Sequence, residues 1–318
     1  LEFRRVLFRS CPAWQLTAAP PQRRWLIDSL WSLEAVGIVG GEPKCCKSFL
    51  ALDMAVSVAS GAPCLRRFPI GKPGPVLLYC AEDALHIVRS RLEGICHAAA
   101  VSLQTLDLHV ITAPALRIDQ ESDQARLCAA LQALRPVLLV LDPFVRLHRI
   151  DENSSGEVAP LLAYLRDLQR RFAVSVVLVH HARKASGHLR AGQALRGSSE
   201  FHAWGDSNLY LRRTDDIITL TTEHRAAASL SPLSLSLRSE GPHLALQLRD
   251  AAPAATEPAA LSPADKIQQA LALATLPLSL SALRQACRIR TAHLCAALAQ
   301  LTQSGLVQKT PTGYLLAH

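Results

Sequence analysis

Residues 41–48, Gly-Glu-Pro-Lys-Cys-Cys-Lys-Ser, nearly match the pattern G-x-x-x-x-G-K-[ST] of a phosphate-binding loop. In such a loop the backbone N–H groups surround phosphate oxygens, the lysine reaches the β- and γ-phosphates, and the hydroxyl holds Mg²⁺. The pattern therefore predicts that Lys47 binds nucleotide phosphates and that Ser48 is a metal ligand. The alternative is an ordinary glycine-rich turn. Cys46 is the departure, because the pattern has glycine there, and it makes hydrolysis a separate question from binding.

Two acidic residues follow other apolar runs of the chain. Asp142 ends the run 136–141 and is the candidate metal ligand beside Ser48, directly or through water. The alternative is a loop aspartate that caps the next segment. Glu82 follows the run 74–80 and is the candidate general base or water-orienting residue for attack on the γ-phosphate. Asp83 is its alternative.

A histidine pair and an arginine pair end later strands. His180 is the candidate sensor of the γ-phosphate, with His181 as its competitor and a buried structural histidine as the alternative for either. Arg212 and Arg213 end a predicted strand, and in a ring of subunits one of them would reach a neighbour's nucleotide as an arginine finger. The alternative is a pair of surface arginines.

The elements that must position these residues alternate along the chain. Short apolar runs predict buried strands at 35–39, 74–80, 106–111, 136–142 and 174–179. Helices are predicted from Phe49 onward and at 84–100, 119–134 and 158–172, with Ile87, Leu92 and Ile95 on the apolar side of the second. This alternation predicts an α/β fold, a mostly parallel sheet covered on both faces. Ligands bind beyond the carboxyl ends of such strands, where Lys47, Glu82, Asp142 and His180 would meet.

The chain after His181 carries a candidate nucleic-acid contact. Residues 182–200 form a basic loop whose cations would contact a nucleic-acid backbone, and the alternative is a solvated loop. The cations in question are Arg183, Lys184, Arg190 and Arg196. Residues 208–211 then predict a strand, and residues 216–249 predict antiparallel strands.

The last part of the chain predicts a separate module. Residues 11–250 would form the main domain, residues 251–261 an Ala/Pro linker, and residues 262–318 a winged-helix-like domain of three helices and a β-hairpin. In the third helix, Leu294, Leu298 and Leu301 are expected to point inward. Arg288, Arg290, His293 and Gln300 suit either DNA contact or docking to protein.

Composition limits the class of protein. The chain has 318 residues, 49% of them hydrophobic, with a net charge of +8 that favours nucleic acid as partner. Nine cysteines without a C-x-x-C pair favour a reduced, cytoplasmic compartment, and no apolar run is long enough to span a membrane. Residues 1–10 resemble a translated cloning adapter or, alternatively, an arginine-rich targeting segment, and are excluded from the fold prediction.

Taken together, the motifs resemble those of RecA-like ATPases of the hexameric replicative-helicase type, and particularly the RepA-like ATPases of plasmids and mobile elements. The resemblance covers residues 25–215 and rests on five segments: 41–48, 81–83, 141–143, 179–181 and 195–199, the last of which is followed by 206–212. It implies a RecA-like P-loop NTPase core, ATP and Mg²⁺ as cofactors, and a homo-hexameric ring around single-stranded DNA.

The same resemblance implies roles for individual residues. Lys47 and Ser48 would bind ATP and Mg²⁺, Asp142 would be the metal-side acid, and Glu82 the catalytic carboxylate. His180 would sense the γ-phosphate, and Arg212 or Arg213 would be the finger. The nucleotide would contact Gly41, Glu42, Pro43, Lys44, Cys45, Cys46, Lys47, Ser48 and Phe49.

The predicted function is an ATP-hydrolysing DNA helicase or translocase in plasmid or mobile-element replication. The C-terminal module is not part of a minimal helicase, which leaves two alternatives open. One is an ATP-switched regulator whose winged helix binds duplex DNA without unwinding it. The other is an inactive assembly subunit that does not bind ATP.

Overall fold

A computed structural model describes residues 11–15, 25–181, 200–249, 263–274, 276–287 and 291–317. The chain divides into two compact units, Leu1–Asp250 and Ala251–His318. The arginines and lysine expected to contact nucleic acid, Arg183, Lys184, Arg190 and Arg196, lie outside the described residues.

The first unit alternates strands and helices and then continues as strands alone. Its strands are β1 (Trp25–Ile27), β2 (Trp31–Ser32), β3 (Val36–Gly41), β4 (Val76–Cys80), β5 (Leu108–Val110), β6 (Leu138–Asp142), β7 (Ser175–His181), β8 (Ser207–Thr214), β9 (Ile217–His224), β10 (Leu233–Glu240) and β11 (His243–Leu248). Its helices are α1 (Lys47–Ser60), α2 (Leu85–Ala98), α3 (Glu121–Leu134), α4 (Ser155–Phe172) and α5 (Glu200–Trp204), with 3₁₀ helices at Ala13–Gln15, Leu103–Thr105 and Phe144–Arg146.

The main sheet has nine strands in the order β11-β10-β9-β8-β3-β7-β6-β4-β5. From β8 to β5 every neighbouring pair is parallel, whereas β9, β10 and β11 are added antiparallel. The prediction of a mostly parallel sheet in an α/β fold is therefore confirmed. In parallel pairs all carboxyl ends lie at one edge, so this topology brings the ends of β3, β4, β6 and β7 together.

Two hydrophobic cores cover the two faces of the sheet, as the apolar strands predict. Helices α1 and α2 pack on one face with alternate strand residues such as Val140 and Val179. Helices α3 and α4 pack on the other face with the intervening residues, such as Leu141 and Leu178. Each strand therefore sends successive side chains to opposite faces.

Helix α2 differs in one position from the prediction. Leu92 and Ile95 are buried as expected, but Ile87 is 38% exposed. The buried stripe begins instead at Val88 and continues at spacings of four and three residues. Ile87 lies about 100° around the helix from Val88 and so misses the stripe.

The antiparallel strands curl back onto α1 and α2. Leu235 and Leu246 are buried in the same core as these helices. The Arg66 guanidinium pairs with the buried Asp53 of α1 at 2.7 Å and also donates to the Leu246 carbonyl. Close packing of β11 against α2 is possible because α2 has Gly94 at the contact, where a Cβ would lie 2.6 Å from the Leu244 oxygen.

The short hairpin β1–β2 is absent from the sequence prediction. It precedes the main sheet and buries Leu26 and Trp31. The Ser32 N–H donates to the Ser207 hydroxyl at 3.1 Å, which ties the hairpin to the start of β8. Two strands of three and two residues carry too little pattern to be recognised from sequence.

The second unit contains three helices and a hairpin around its own core. Its elements are α6 (Pro263–Ala272), α7 (Leu280–Cys287), α8 (Thr291–Gln303), β12 (Val307–Thr310) and β13 (Gly313–Leu316). Leu294, Leu298 and Leu301 are buried as predicted. Gln300 is exposed on α8. Among the helices of the described ranges, none is both long and apolar enough to cross a membrane.

The contact between α2 and β11 can be tested with Gly94→Ala. The new methyl group would lie 2.6 Å and 2.8 Å from backbone atoms of Leu244, which cannot move away as a side-chain tip can. We expect a loss of about 1–3 kcal/mol in the free energy of unfolding, measured by urea denaturation. Gly156→Ala in α4 is the matched control, because a Cβ there meets no atom within 4 Å. The control should gain up to about 1 kcal/mol, and an unchanged midpoint for Gly94→Ala would contradict the packing.

Candidate functional site

A cavity of about 360 Å³ opens where β3, β4 and β6 end. Its walls contain four cationic side chains, Lys44, Lys47, Arg91 and Arg213, and three acidic ones, Glu82, Asp83 and Asp142. The remaining wall residues are Cys46, Ser48, Phe49, Cys80, His181 and Leu237. Lys47, Ser48, Glu82 and Asp142, which come from three separate segments of the chain, are thus assembled at one site.

The loop between β3 and α1 has the conformation that its near-match to the phosphate-loop pattern requires. Cys46 is left-handed, with φ 68° and ψ 27°, and α1 begins at the next residue. Lys44 is also left-handed, at φ 64°. The N–H groups of the first turn of α1 have no partner within the helix, so the cavity lies beside a set of donors suited to an anion.

Gly41 cannot be replaced without moving the neighbouring strand. A Cβ there would lie 2.3 Å from the Leu211 carbonyl oxygen and 2.7 Å from the Cys45 sulfur. Cys45 itself is buried in the core under α1 rather than exposed in the cavity. Of the loop residues predicted to contact nucleotide, Lys44, Cys46, Lys47, Ser48 and Phe49 line the cavity.

Lys47 is held over the loop. Its side chain is buried, and Nζ donates to the Glu42 carbonyl oxygen at 2.7 Å. The Cys45 sulfur lies 3.8 Å from the same nitrogen. The ammonium group is therefore fixed between the two ends of the loop, which is where it can reach the phosphates of a nucleotide.

Ser48 and Asp142 both line the cavity. Burial raises the pKa of Asp142 to about 6 and the nearby charge of Asp83 adds to the rise, whereas the Ser48 hydroxyl acts to lower it. A buried carboxylate beside a hydroxyl is an oxygen donor set that suits Mg²⁺. Within the described ranges no group of three or more His, Cys, Asp or Glu could hold a metal by itself. The pair therefore fits a Mg²⁺ ion that also takes phosphate oxygens and waters.

Glu82 lies at the rim of the cavity and is paired with Arg146. Arg146 Nε donates to Glu82 Oε1 at 3.0 Å. Arg146 belongs to the 3₁₀ helix that directly follows Asp142 and Pro143. The candidate catalytic carboxylate thus contacts the segment that also carries the candidate metal ligand.

Asp83 forms a different contact. It receives two hydrogen bonds from the Arg91 guanidinium, one of them at 3.1 Å. The same guanidinium lies over the Phe49 ring, 5.1 Å from its centre. Arg91 of α2 therefore engages both carboxylate oxygens of Asp83, whereas Arg146 engages only Oε1 of Glu82. This difference favours Glu82 over Asp83 as the residue available to a water molecule.

The two histidines at the end of β7 point to opposite faces. His181 shares its face with Val177 and Val179, the α1 side, and lines the cavity. His180 is 1% exposed and lies on the other face, stacked on the Phe201 ring at 4.2 Å. The predicted preference for His180 therefore does not match the geometry, because alternation along the strand places its competitor in the cavity.

The same alternation separates Arg212 from Arg213. Arg213 shares the face of Leu209 and Leu211 and lines the cavity of its own chain. Its Nε donates to the Asp215 carbonyl at 2.9 Å. Arg212, the residue preferred as a finger, points to the opposite face and is exposed. It does not reach the cavity of its own chain.

Arg91, Arg146, Cys80 and Leu237 are site residues that the sequence analysis missed. Arg91 follows Ala84 by seven residues, two helical turns, so the spacing could have placed it beside the Asp83 loop. Leu237 lies in β10, well away from β3 in the sheet, and reaches the cavity only because the sheet curls. No local pattern carries that information.

Comparison with known proteins identifies the architecture. A family model described as "AAA domain" matches residues 2–187. The solved structure "ATPase Domain of G40P" gives a TM-score of 0.50 at 13% identity, covering 68% of this chain and 85% of that one. "The Structure Of A DnaB-Like Replicative Helicase And Its Interactions With Primase" gives 0.51 at 13% identity, covering 67% of this chain and 57% of that one. The predicted RecA-like NTPase core is confirmed as the fold of the first unit.

The conformation of Cys46 leads to a stability prediction for Cys46→Gly. A left-handed residue other than glycine costs about 1–2 kcal/mol, whereas glycine costs about 0.5–1 kcal/mol through its greater freedom in the unfolded chain. We expect a net gain of roughly 0.5–1 kcal/mol, seen as a higher melting temperature. Ala173→Gly, at φ 50° after α4, is the matched control outside the cavity and should gain a similar amount. A lower melting temperature for Cys46→Gly alone would contradict the assignment of strain.

The raised pKa of Asp142 predicts how Asp142→Asn changes stability with pH. The folded-state pKa of about 6 lies above the ordinary value of 3.8, so ionisation of Asp142 destabilises the fold. This penalty is absent below about pH 4, grows between pH 4 and 6, and reaches about 3 kcal/mol above that range. Asp142→Asn should therefore gain stability over the wild type at pH 7–8 and little at pH 4, measured by urea denaturation.

The control for this pH series is Asp216→Asn, because Asp216 is fully exposed. It should change the free energy of unfolding by less than about 0.5 kcal/mol at every pH. A loss of stability in Asp142→Asn at pH 7–8 would show that ionised Asp142 stabilises the fold.

Proposed function

The chain belongs to the AAA domain family, and on that premise we propose that it binds and hydrolyses ATP with Mg²⁺. One observation carries the proposal: Lys47, Ser48, Glu82 and Asp142, from three different strand ends, line a single cavity of about 360 Å³. Its four cations suit a polyphosphate, and the Ser48–Asp142 pair suits its metal ion.

Binding rests on the loop and on Lys47. The N–H groups at the start of α1 donate hydrogen bonds to phosphate oxygens, and the Lys47 ammonium contacts the β- and γ-phosphates. Ser48 and Asp142 would hold the Mg²⁺ ion, which would neutralise charge on the phosphate oxygens. Arg213 and His181 add donors from the same face of the sheet, and they replace His180 as the candidates for sensing the γ-phosphate within one chain.

Hydrolysis requires a base for the attacking water. In this proposal Glu82 accepts a proton from the water while the water oxygen bonds to the γ-phosphorus. The bond between the γ-phosphorus and the bridging oxygen breaks, and that oxygen leaves with ADP. Glu82 is suited to this role because Arg146 engages only its Oε1, whereas Arg91 engages both carboxylate oxygens of Asp83. Cys46 keeps a neutral side chain beside the phosphates, since burial raises the pKa of its thiol.

We further propose that the protein acts on DNA as a homo-hexameric helicase or translocase of the RepA-like type, in plasmid or mobile-element replication. The net charge of +8 supports a polyanionic partner. The exposed position of Arg212 leaves its side chain available to a neighbouring subunit's nucleotide. One of the solved structures that this chain resembles is a DnaB-like replicative helicase, which agrees with this assignment. The second unit is proposed to be a winged helix that contacts duplex DNA.

The proposal is tested by measuring ATP binding and ATPase rate with and without single-stranded DNA. Lys47→Ala should abolish both binding and hydrolysis, because it removes the phosphate-binding cation. Glu82→Gln should keep binding but lower the rate by about 10²–10⁴-fold, the usual size of a general-base contribution. Lys72→Ala is the matched control, since Lys72 is exposed and outside the cavity. Single-stranded DNA should raise the wild-type rate.

Other results would point to the alternatives. Absence of ATP binding by the wild type would rule out the proposed activity and favour an assembly subunit. Tight duplex binding that survives Lys47→Ala but is lost on deletion of residues 262–318, without stimulation by single strands, would favour an ATP-switched regulator over a motor.

A further inference from the structure

Glu82 and Arg146 form an ion pair at the rim of the cavity that the proposed mechanism does not yet use. Arg146 Nε donates to Glu82 Oε1 at 3.0 Å, which leaves the other carboxylate oxygen, Oε2, unengaged by this arginine. Both side chains are partly exposed, Glu82 by 42% and Arg146 by 59%. The pair therefore adds little to the stability of the fold, since exposed ion pairs contribute little.

The backbone that carries Arg146 is firmly held. The Arg117 guanidinium donates to the carbonyl oxygens of Arg146 at 2.7 Å and His148 at 3.0 Å. The Ile118 N–H donates to the Leu147 carbonyl at 2.7 Å. Phe144, at the start of the same 3₁₀ helix, is completely buried. The exposed Arg146 side chain thus projects from a 3₁₀ helix whose backbone is held in place, and such support restricts the position of a charged group.

The same turn begins at the proposed metal ligand. Asp142 is the last residue of β6, and the 3₁₀ helix Phe144–Arg146 starts two residues later. The position of Arg146, and through it that of Glu82, is therefore set relative to Asp142 by a short rigid segment rather than by α2. Without Arg146 the orientation of Glu82 would depend on the loop after β4 alone.

We infer that Arg146 is a positioning residue for Glu82 in ATP hydrolysis, an inference that rests on the proposed function. Arg146 fixes the carboxylate through Oε1 so that Oε2 accepts the proton of the attacking water. That water's oxygen bonds to the γ-phosphorus while ADP departs with the bridging oxygen. Arg146 itself binds neither nucleotide nor metal, and its contribution is to remove rotational freedom from the base before reaction.

The test is steady-state ATP hydrolysis by full-length Arg146→Ala and Arg146→Lys in saturating Mg²⁺ and single-stranded DNA, with ATP binding measured separately. Arg146→Ala should lower kcat by about five- to tenfold, the effect expected from freeing a flexible side chain, with KM and ATP binding unchanged. Arg146→Lys should recover most of the rate, because the contact uses one N–H donor that an ammonium can also supply.

A double-mutant cycle separates positioning from a general structural effect. In a Glu82→Gln background, Arg146→Ala should cause no further loss, since the base that it positions is already gone. A loss of equal size in both backgrounds would overturn the inference.

Arg89→Ala is the matched control. Arg89 Nε pairs with Glu93 at 2.8 Å on the solvent-facing side of α2, and neither residue lines the cavity. Its kcat should equal that of the wild type. A wild-type rate, or a faster one, for Arg146→Ala would overturn the positioning role and leave the proposed ATPase intact. Lack of hydrolysis by the wild type would overturn both.

Discussion

The register of the parallel strands is the constraint on which the cavity depends. Cys80 lies opposite Asp142 in the β4–β6 pair, and Gly41 lies opposite His181 in the β3–β7 pair. Cys80, Asp142 and His181 line the cavity, and each continues the series of side chains in its strand that faces α1. A shift of one residue would turn that residue to the opposite face and bring its neighbour into the cavity. The hydrophobic packing of α1 and α2 against the sheet thus also determines which polar side chains lie beside the loop between β3 and α1.

The cavity combines charges that would be costly in isolation. Asp142 is buried, and burial raises its pKa even though the Ser48 hydroxyl acts to lower it. Lys47 is buried nearby, with the Glu42 carbonyl as a partner. Such an arrangement is poor for the stability of the fold but suited to a ligand that carries both negative phosphates and a divalent cation, because that ligand pairs with the cations and the acids at once.

The buried strands of the sheet could be predicted from the sequence because a short apolar run between turn residues has a single structural interpretation. Long apolar runs between turn residues specify buried parallel strands, so the sheet and the edge at which Lys47, Glu82 and Asp142 meet were predictable. The predicted preference for His180 over His181 had no basis in the pattern, because a strand buried on both faces is apolar at every position and gives no sign of which face a residue takes. The structure places His181 in the cavity. The roles of Leu237 and Arg146 could not be predicted from the sequence either. Leu237 reaches the cavity through the curvature of the sheet, and Arg146 reaches Glu82 through a tertiary ion pair.

Cys46 shows why a glycine in a sequence pattern can be replaced without loss of the site. The position requires a left-handed backbone, with φ 68°, and glycine adopts this at no steric cost. A cysteine there bears a conformational penalty of about 1–2 kcal/mol, which the helix and the two cores can offset.

The effect of this cysteine on phosphate binding would be larger if the thiol were ionised, because a negative charge would then face the phosphates. Burial raises the thiol pKa even though Arg213, Arg91 and Lys47 act to lower it, so the sulfur remains neutral. The replacement therefore changes the strain of the loop more than its electrostatic potential, and the loop keeps the cationic character that its proposed ligand requires.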